Sequence, residues 1–196
     1  MMRIAFRVLI IAVLLSVELY AVYAVLHPRV SREYRAYFID RTTTDWHVPR
    51  YASTPEQGIS FGREGWPDFV NFAYGFSWAE GWGRWSDAAV APAATLVMNR
   101  EFSGPLCIEF VAEPSVAVRG KPVEVSLGQN SAEVMLSNPN VTTYHVSFAN
   151  AQPANQLQFR FKGKVRGNEE FVRGSRDNRR IGIGLVSLRI LPHVCQ

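Results

Sequence analysis

The sequence predicts an all-β protein: an antiparallel, jelly-roll-like β-sandwich preceded by a single N-terminal transmembrane or signal helix. Three observations lead to this fold class. An apolar stretch follows the N-terminus, hydrophobic and polar residues alternate in several later segments, and clusters of Gly, Pro, Asn and Ser separate those segments. Alternation is typical of half-buried strands, and several short strands without helical segments between them favour a sandwich.

The length allows one sizeable core, because the chain has 196 residues and 47% of them are hydrophobic. We divide it into a membrane anchor or signal segment at residues 1–26, a juxtamembrane stalk at 27–54 and the β-sandwich at 55–196. The net charge is only +4, and no dense Lys/Arg tract accompanies a nucleic-acid-binding motif. Composition therefore argues against a nucleic-acid partner.

The N-terminal segment predicts export. Arg3 and Arg7 precede Val8–Leu26, which is almost entirely apolar, and a helix over that stretch would be about 28 Å long, close to the thickness of a bilayer core. We favour a retained single-pass anchor with the basic end in the cytoplasm. A cleaved signal peptide is the alternative, because Val22 and Ala24 suit the small-residue positions before a cleavage site.

Export also affects the two cysteines. An oxidising compartment allows Cys107 and Cys195 to form a disulfide, which would tie the C-terminal tail to an early strand. Two unrelated thiols are the alternative, since the sequence does not supply the Cα separation that a disulfide needs.

Alternating hydrophobicity predicts the individual strands, which are "LCIEFVAE", "VEVSL", Tyr144–Phe148, Leu157–Lys162 and "RIGIGLVSLRIL". The alternation slips by one residue near Val186 in the last of these, which predicts a β-bulge. Turns are predicted at "RGKP", "LGQN", "SNPN" and "NAQPAN". In the stalk, "VSREYRAYFIDR" predicts a short amphipathic helix.

Catalytic and metal-binding patterns are missing. The four histidines are far apart without metal-ligand spacing, and no nucleophile or phosphate-loop motif occurs. The acid pairs Glu80/Asp87 and Glu64/Asp68 have the residue types of a glycosidase, but 17 acids in a β-rich domain produce such pairs by chance. We therefore predict no enzyme activity, no metal and no cofactor.

The segment "GFSWAEGWGRWSD", Gly75–Asp87, is the strongest candidate for a binding surface. Its three tryptophans would stack on sugar rings if they point outward, with Glu80 and Arg84 hydrogen-bonded to hydroxyls. The alternative is that the tryptophans close the core, and that Glu80 and Arg84 pair with each other or with Asp177 and Arg179.

A second polar cluster, "RGSRDNRRIG", precedes the last strand. One interpretation is a solvated loop. The other is that Asp177 and Arg179 lock the loop while the remaining arginines, including Arg173, bind an anionic group, because guanidinium groups match phosphate and carboxylate oxygens. The candidate ligand-binding residues from both segments are Trp78, Glu80, Trp82, Arg84, Arg176, Asp177, Arg179 and Arg180.

Two motifs resemble a known family. The first is "ISFGREGWPDFVNFAYGFSWAEGWGRWSDA", with the pattern I-x-F, G-x-P, G-x-S-x-x-E and G-R-W-S-D, and the second is "RDNRRIGIGLVSLRI". Together they bracket Ile59–Leu191. The pair is similar to the small periplasmic C-terminal domain of bacterial phosphoglycerol transferases, the enzymes that decorate osmoregulated periplasmic glucans.

The resemblance implies an accessory β-sandwich and not the transferase activity. Those enzymes carry several membrane helices and a metal-dependent catalytic domain, whereas this chain has one apolar segment and no room for that domain. We therefore expect a non-catalytic module on the bacterial inner membrane, with a single membrane-spanning helix and its C-terminal domain in the periplasm. Its expected partner is an envelope glycan, plain or phosphoglycerol-substituted, or alternatively a polytopic membrane transferase or transporter.

Overall fold

The computed structural model consists of an N-terminal helix and a β-sandwich, and it describes residues 2–27, 29–31, 34–43, 45, 48–162, 165–167, 170, 177 and 179–195. Helix α1 spans Met2–Leu26 and contains neither Gly nor Pro. Its stretch Leu9–Leu26 has a mean hydropathy of 2.4 and none of it is buried. It is the one helix in the described part of the chain that is long and apolar enough to cross a membrane. The predicted apolar N-terminal helix is confirmed.

A short π-helical segment, Arg35–Ile39, follows α1, and the rest of the described secondary structure is β. The strands are β1 Arg50–Tyr51, β2 Ile59–Ser60, β3 Trp66–Pro67, β4 Val70–Tyr74, β5 Arg84–Asp87, β6 Ala93–Pro114, β7 Pro122–Leu127, β8 Asn130–Met135, β9 Thr142–Phe161 and β10 Ile181–Leu191. Strands β1 and β3 form a small parallel pair, and the other eight form one antiparallel sheet.

The long strands β6 and β9 carry that sheet from one layer of the sandwich to the other. The first half of β6 lies between β4 and the end of β9, and its second half lies between β10 and the start of β9. The pairing shifts register several times between Val97 and Leu106, and such irregularities allow strands to bend. Leu96 and Ile108, from the two halves of β6, both belong to one buried core.

These pairings confirm the predicted antiparallel jelly-roll-like sandwich. All five predicted segments form strands, two of them within the single strand β9. The predicted bulge is present, because Leu185 pairs with Ala112 and Ser187 with Val111 while Val186 has no pairing partner on β6. One turn prediction is wrong: "NAQPAN" lies inside β9. Pro153 falls opposite the irregular part of β6, where missing ladder hydrogen bonds tolerate a residue without an N–H.

The predicted stalk is not separate from the sandwich over its whole length. The carbonyl of Thr42 accepts a hydrogen bond from the Gly75 N–H, and the Thr43 hydroxyl donates to the Ala73 carbonyl. Ala36 packs against Phe72 in a small buried cluster. The packed region therefore begins before the predicted boundary at residue 55, because this segment runs along β4.

Cys107 and Cys195 form a disulfide. Cys107 lies in β6, and Cys195 follows β10 in the C-terminal tail. The tail is also held by the backbone N–H of Cys195, which donates to the Ser147 hydroxyl at 2.9 Å. The bond ties the tail to β6, as the first of the two sequence interpretations expects.

Candidate functional site

The Gly75–Asp87 segment folds as an irregular hairpin whose tip stands at the surface. Ser77 donates its N–H to the carbonyl of Trp85 at 2.8 Å, and Glu80 donates to Gly83 at 2.9 Å. Gly81, at the tip, has φ +75°, a conformation that favours glycine. The hairpin continues into β5, which pairs with the start of β10.

Arg84 points into the fold. It is 1% exposed, its guanidinium forms an ion pair with Asp45 and lies 4.5 Å from the centre of the Trp66 ring. Its Nε donates to the carbonyl of Phe61 at 3.3 Å. Burial lowers the pKa of Arg84 to about 10, so the side chain stays charged at neutral pH. The assignment of Arg84 to the ligand surface is therefore corrected: this residue holds the base of the hairpin.

The tryptophans of the hairpin take different positions. Trp78 is 63% exposed and Trp82 is 37% exposed, whereas Trp85 is half-buried. Trp82 and Trp85 meet edge to face with their ring centres 5.3 Å apart. A side chain at Gly184 would collide with both rings, since a Cβ there would lie 2.6 Å from Trp82 and 3.0 Å from Trp85. The glycine on β10 thus makes room for this aromatic pair.

Glu80 and Arg179 bring the two polar segments together. Nη1 of Arg179 lies 2.5 Å from Oε1 of Glu80, while its Nε and Nη2 donate to the two carboxylate oxygens of Asp177 at 2.9 and 2.8 Å. We call Trp78, Glu80, Trp82, Asp177 and Arg179 the hairpin rim. Of the pairings that the sequence left open, Glu80 takes the one with Arg179, whereas Arg84 pairs with Asp45, which was not among them.

A second connection involves the backbone before β10. Oδ1 of Asp87 accepts hydrogen bonds from the N–H groups of Ala89 at 2.9 Å and Arg180 at 3.2 Å. The Ala88 N–H donates to the Arg180 carbonyl at 2.9 Å. The Arg180 side chain is exposed. Arg173 and Arg176, the other arginines predicted to bind an anion, lie outside the described residues.

The two acid pairs considered as glycosidase candidates differ in their surroundings. Asp87 accepts two backbone N–H groups and Glu80 is ion-paired, so both members of that acid pair have structural partners, while Glu64 and Asp68 are exposed. Among the described residues one group has metal-ligand geometry: the ligand atoms of Cys107, His145 and Cys195 lie within 4.8 Å of one another. Its two sulfurs are bonded to each other, whereas a metal binds the free thiolates.

Sequence reasoning missed two residues that position the hairpin. Asp45 is separated from Arg84 by 39 positions and lies in an irregular segment, so nothing local marks it as a partner. Trp66 contacts Arg84 across the core. The sequence shows only an isolated acid between Thr and Trp in the stalk. This pattern does not distinguish a buried ion-pair partner from a solvated side chain.

The Asp177 carboxylate gives a pH-dependent prediction. Hydrogen bonds from Arg179 lower its pKa below the ordinary value of 3.8, and the same contacts raise the pKa of Arg179. A lowered folded-state pKa contributes stability above pH 3.8 that is lost as the pH falls through the folded-state value. Asp177→Asn should therefore destabilise the protein at pH 7 and have a smaller effect at pH 3, measured by urea unfolding. An equal difference at both pH values would contradict the role of this pair.

Comparison with known proteins identifies the family of this domain. Residues 45–192 match a family model described as "Domain of unknown function (DUF7024)". Among curated proteins, Phosphoglycerol transferase I of Citrobacter koseri is 28% identical over 131 residues, covering 67% of this chain and 17% of the relative. Phosphoglycerol transferase I of Escherichia fergusonii is 27% identical over the same length and coverage. The chain thus spans 17% of the length of these relatives.

Solved structures give a weaker likeness. A family 29 carbohydrate-binding module from Piromyces equi superimposes with a TM-score of 0.44 at 10% identity, covering 68% of this chain and 87% of that one. Another structure of a family 29 carbohydrate-binding module gives 0.42 at 14% identity, covering 68% and 84%. At this similarity the likeness says nothing about ligands.

Proposed function

The chain belongs to the DUF7024 family. We propose that it is a membrane-anchored, non-catalytic module of the bacterial periplasm that binds an envelope glycan or its phosphoglycerol-substituted form. The similarity to Phosphoglycerol transferase I supports a role in phosphoglycerol or glycan chemistry. Helix α1 supports the anchor, because Leu9–Leu26 has the length and hydropathy of a membrane span.

The observation that carries the proposal is the pair of exposed tryptophans at the hairpin rim. Trp78 and Trp82 leave 63% and 37% of their surfaces in solvent, whereas most large apolar side chains of the sandwich are buried. Flat aromatic faces stack on the apolar faces of sugar rings. Beside them, the Glu80, Arg179 and Asp177 side chains are about one-third exposed and offer hydrogen bonds to hydroxyl groups.

Several contacts hold the hairpin in place, which favours binding because less order is lost when the ligand arrives. The ion pair between Arg84 and Asp45 holds the base of the hairpin, and the ion pair between Arg179 and Glu80 holds its tip. Trp82 is further supported by the Trp85 ring. Trp78, the most exposed of the three, is the first candidate to stack on a sugar.

Titration of the full chain with glucans tests the proposal. The protein is kept in a polyoxyethylene detergent, which carries neither sugar nor phosphate, and plain and phosphoglycerol-substituted glucans are added. We expect saturable binding in the micromolar to millimolar range, weakened about tenfold or more in Trp78→Ala. Met135→Ala is the matched control, because Met135 is 54% exposed on β8, outside the rim.

A second candidate is a structural subunit that docks on a polytopic membrane transferase or transporter. The observation favouring it is that Glu80 and Arg179 already pair with each other, so the motif residues also serve the fold. Absence of saturable binding to either glucan, together with co-purification of a membrane transferase through Trp78, would replace the glycan proposal with this one.

A further inference from the structure

A cleft of about 320 Å³ lies at the end of the Gly75–Asp87 hairpin, between β5, the start of β6 and the end of β9. Ala91, Ala93 and Ala94 are among its lining residues, and their small side chains fill little space. Phe159 and Phe161 lie along one side, and Arg160 and Arg180 are its two cationic residues among the described lining. Arg180 directly follows Arg179 of the rim in sequence, and Ser86 and Asp87 of the hairpin are among the lining residues of the cleft.

Both arginines lack an ion-pair partner among the residues that the structure describes. This contrasts with Arg84, Arg179 and Arg189, which pair with acids. Glu124 faces Arg160 in the β7–β9 register without forming an ion pair within the described part of the chain. Both arginines are exposed residues, so a ligand can reach them.

The one acid lining the cleft is Asp87, which is 6% exposed. Its Oδ1 accepts the N–H groups of Ala89 and Arg180, so its charge is partly compensated by the backbone. It also holds the backbone of Arg180 in place. The described lining of the cleft thus holds two guanidinium groups and one carboxylate, and Glu124, opposite Arg160 on β7, is not part of it.

We propose that this cleft is the subsite for the phosphodiester group of a substituted glycan, with Arg160 and Arg180 binding its oxygens. The inference rests on the proposed function, in which the rim binds the sugar. Guanidinium groups bind phosphate oxygens through charge-assisted, paired hydrogen bonds. The alanines leave room for a substituent, and the partly exposed Phe161 offers contact for its carbon atoms. The cleft would thus distinguish substituted from plain glycan, at a place separate from the tryptophans.

The test compares plain and phosphoglycerol-substituted glucan on the full chain in the same polyoxyethylene detergent. Wild type should bind the substituted glucan about tenfold or more tightly than the plain one, and Arg160→Gln with Arg180→Gln should remove that preference while binding to plain glucan stays unchanged. Raising NaCl from about 50 to about 500 mM should reduce the preference in wild type. Arg100→Gln with Arg189→Gln is the charge-matched control, because both arginines are exposed and pair with acids outside the cleft.

The outcomes separate this inference from the proposed function. Equal binding of both glucans by wild type, or a preference that survives in the double variant, overturns the proposed role of the cleft and leaves the proposed binding at the rim unaffected. If wild type binds neither glucan, the proposed role of the cleft and the proposed function are both overturned. Phosphatidylglycerol vesicles serve as the competing phosphodiester source: if they bind through Arg160 and Arg180 and the substituted glucan does not, the cleft recognises a lipid and the inference is overturned. Circular dichroism of the double variant verifies that it folds.

Discussion

Replacing Arg84 with Met is expected to lower the free energy of unfolding by about 3–5 kcal/mol, the cost typical of leaving one member of a buried ion pair alone. The carboxylate of Asp45 is nearly as buried as Arg84, with side-chain exposures of 7% and 2%. The same change removes the hydrogen bonds that Arg84 donates to the carbonyls of Phe61 and Arg63. Urea unfolding of the full chain measures the effect.

Two further variants identify the cause. Arg84→Met combined with Asp45→Leu should recover much of the lost stability, because replacing both charges with apolar groups removes the unpaired carboxylate. Arg84→Lys keeps the charge but not the planar fork, so it should fall between wild type and Arg84→Met. A single variant as stable as wild type, or a double variant no better than the single one, would show that this pair does not hold the hairpin.

Reduction of the Cys107–Cys195 disulfide is expected to destabilise the sandwich by about 2–4 kcal/mol. The bond closes a loop with a sequence separation of 88, and long loops restrict the unfolded chain the most. In the folded state, reduction leaves the tail after β10 held mainly by the hydrogen bond from Cys195 to Ser147.

Unfolding curves with and without a reductant measure this effect. The double variant Cys107→Ser, Cys195→Ser is the control, since its unfolding should not respond to the reductant. Thiol labelling of the unfolded, unreduced protein should find no reactive cysteine. Two labelled thiols, or an unfolding midpoint that reduction leaves unchanged, would contradict a stabilising bridge.

Much of the sandwich follows from local pattern, because burial of one face imposes alternation on a strand. Val123, Val125 and Leu127 are buried along β7 while Glu124 and Ser126 between them are partly exposed. The bulge at Val186 was visible as a one-residue slip, since a change of register moves side chains to the other face. The turn prediction failed only at "NAQPAN". This segment has the composition of a turn but lies inside β9, opposite the irregular part of β6.

The site was less accessible to sequence reasoning, because its contacts join distant positions. Glu80 and Arg179 are 99 residues apart, and their meeting depends on β5 pairing with β10. Likewise, no local feature distinguishes Trp78, which is exposed, from Trp66, which is 3% exposed. The burial of a tryptophan depends on the strands around it, which a single segment does not reveal.

Hydrogen–deuterium exchange of the full chain, with and without saturating phosphoglycerol-substituted glucan, tests the central claim most directly. A glycan bound at the hairpin rim predicts slower exchange in residues 76–83 and 179–181, with no change along the exposed edge strand β8, and loss of that protection in Trp78→Ala. Unchanged exchange over both segments at saturation, or protection confined to β8, would contradict glycan binding at the rim.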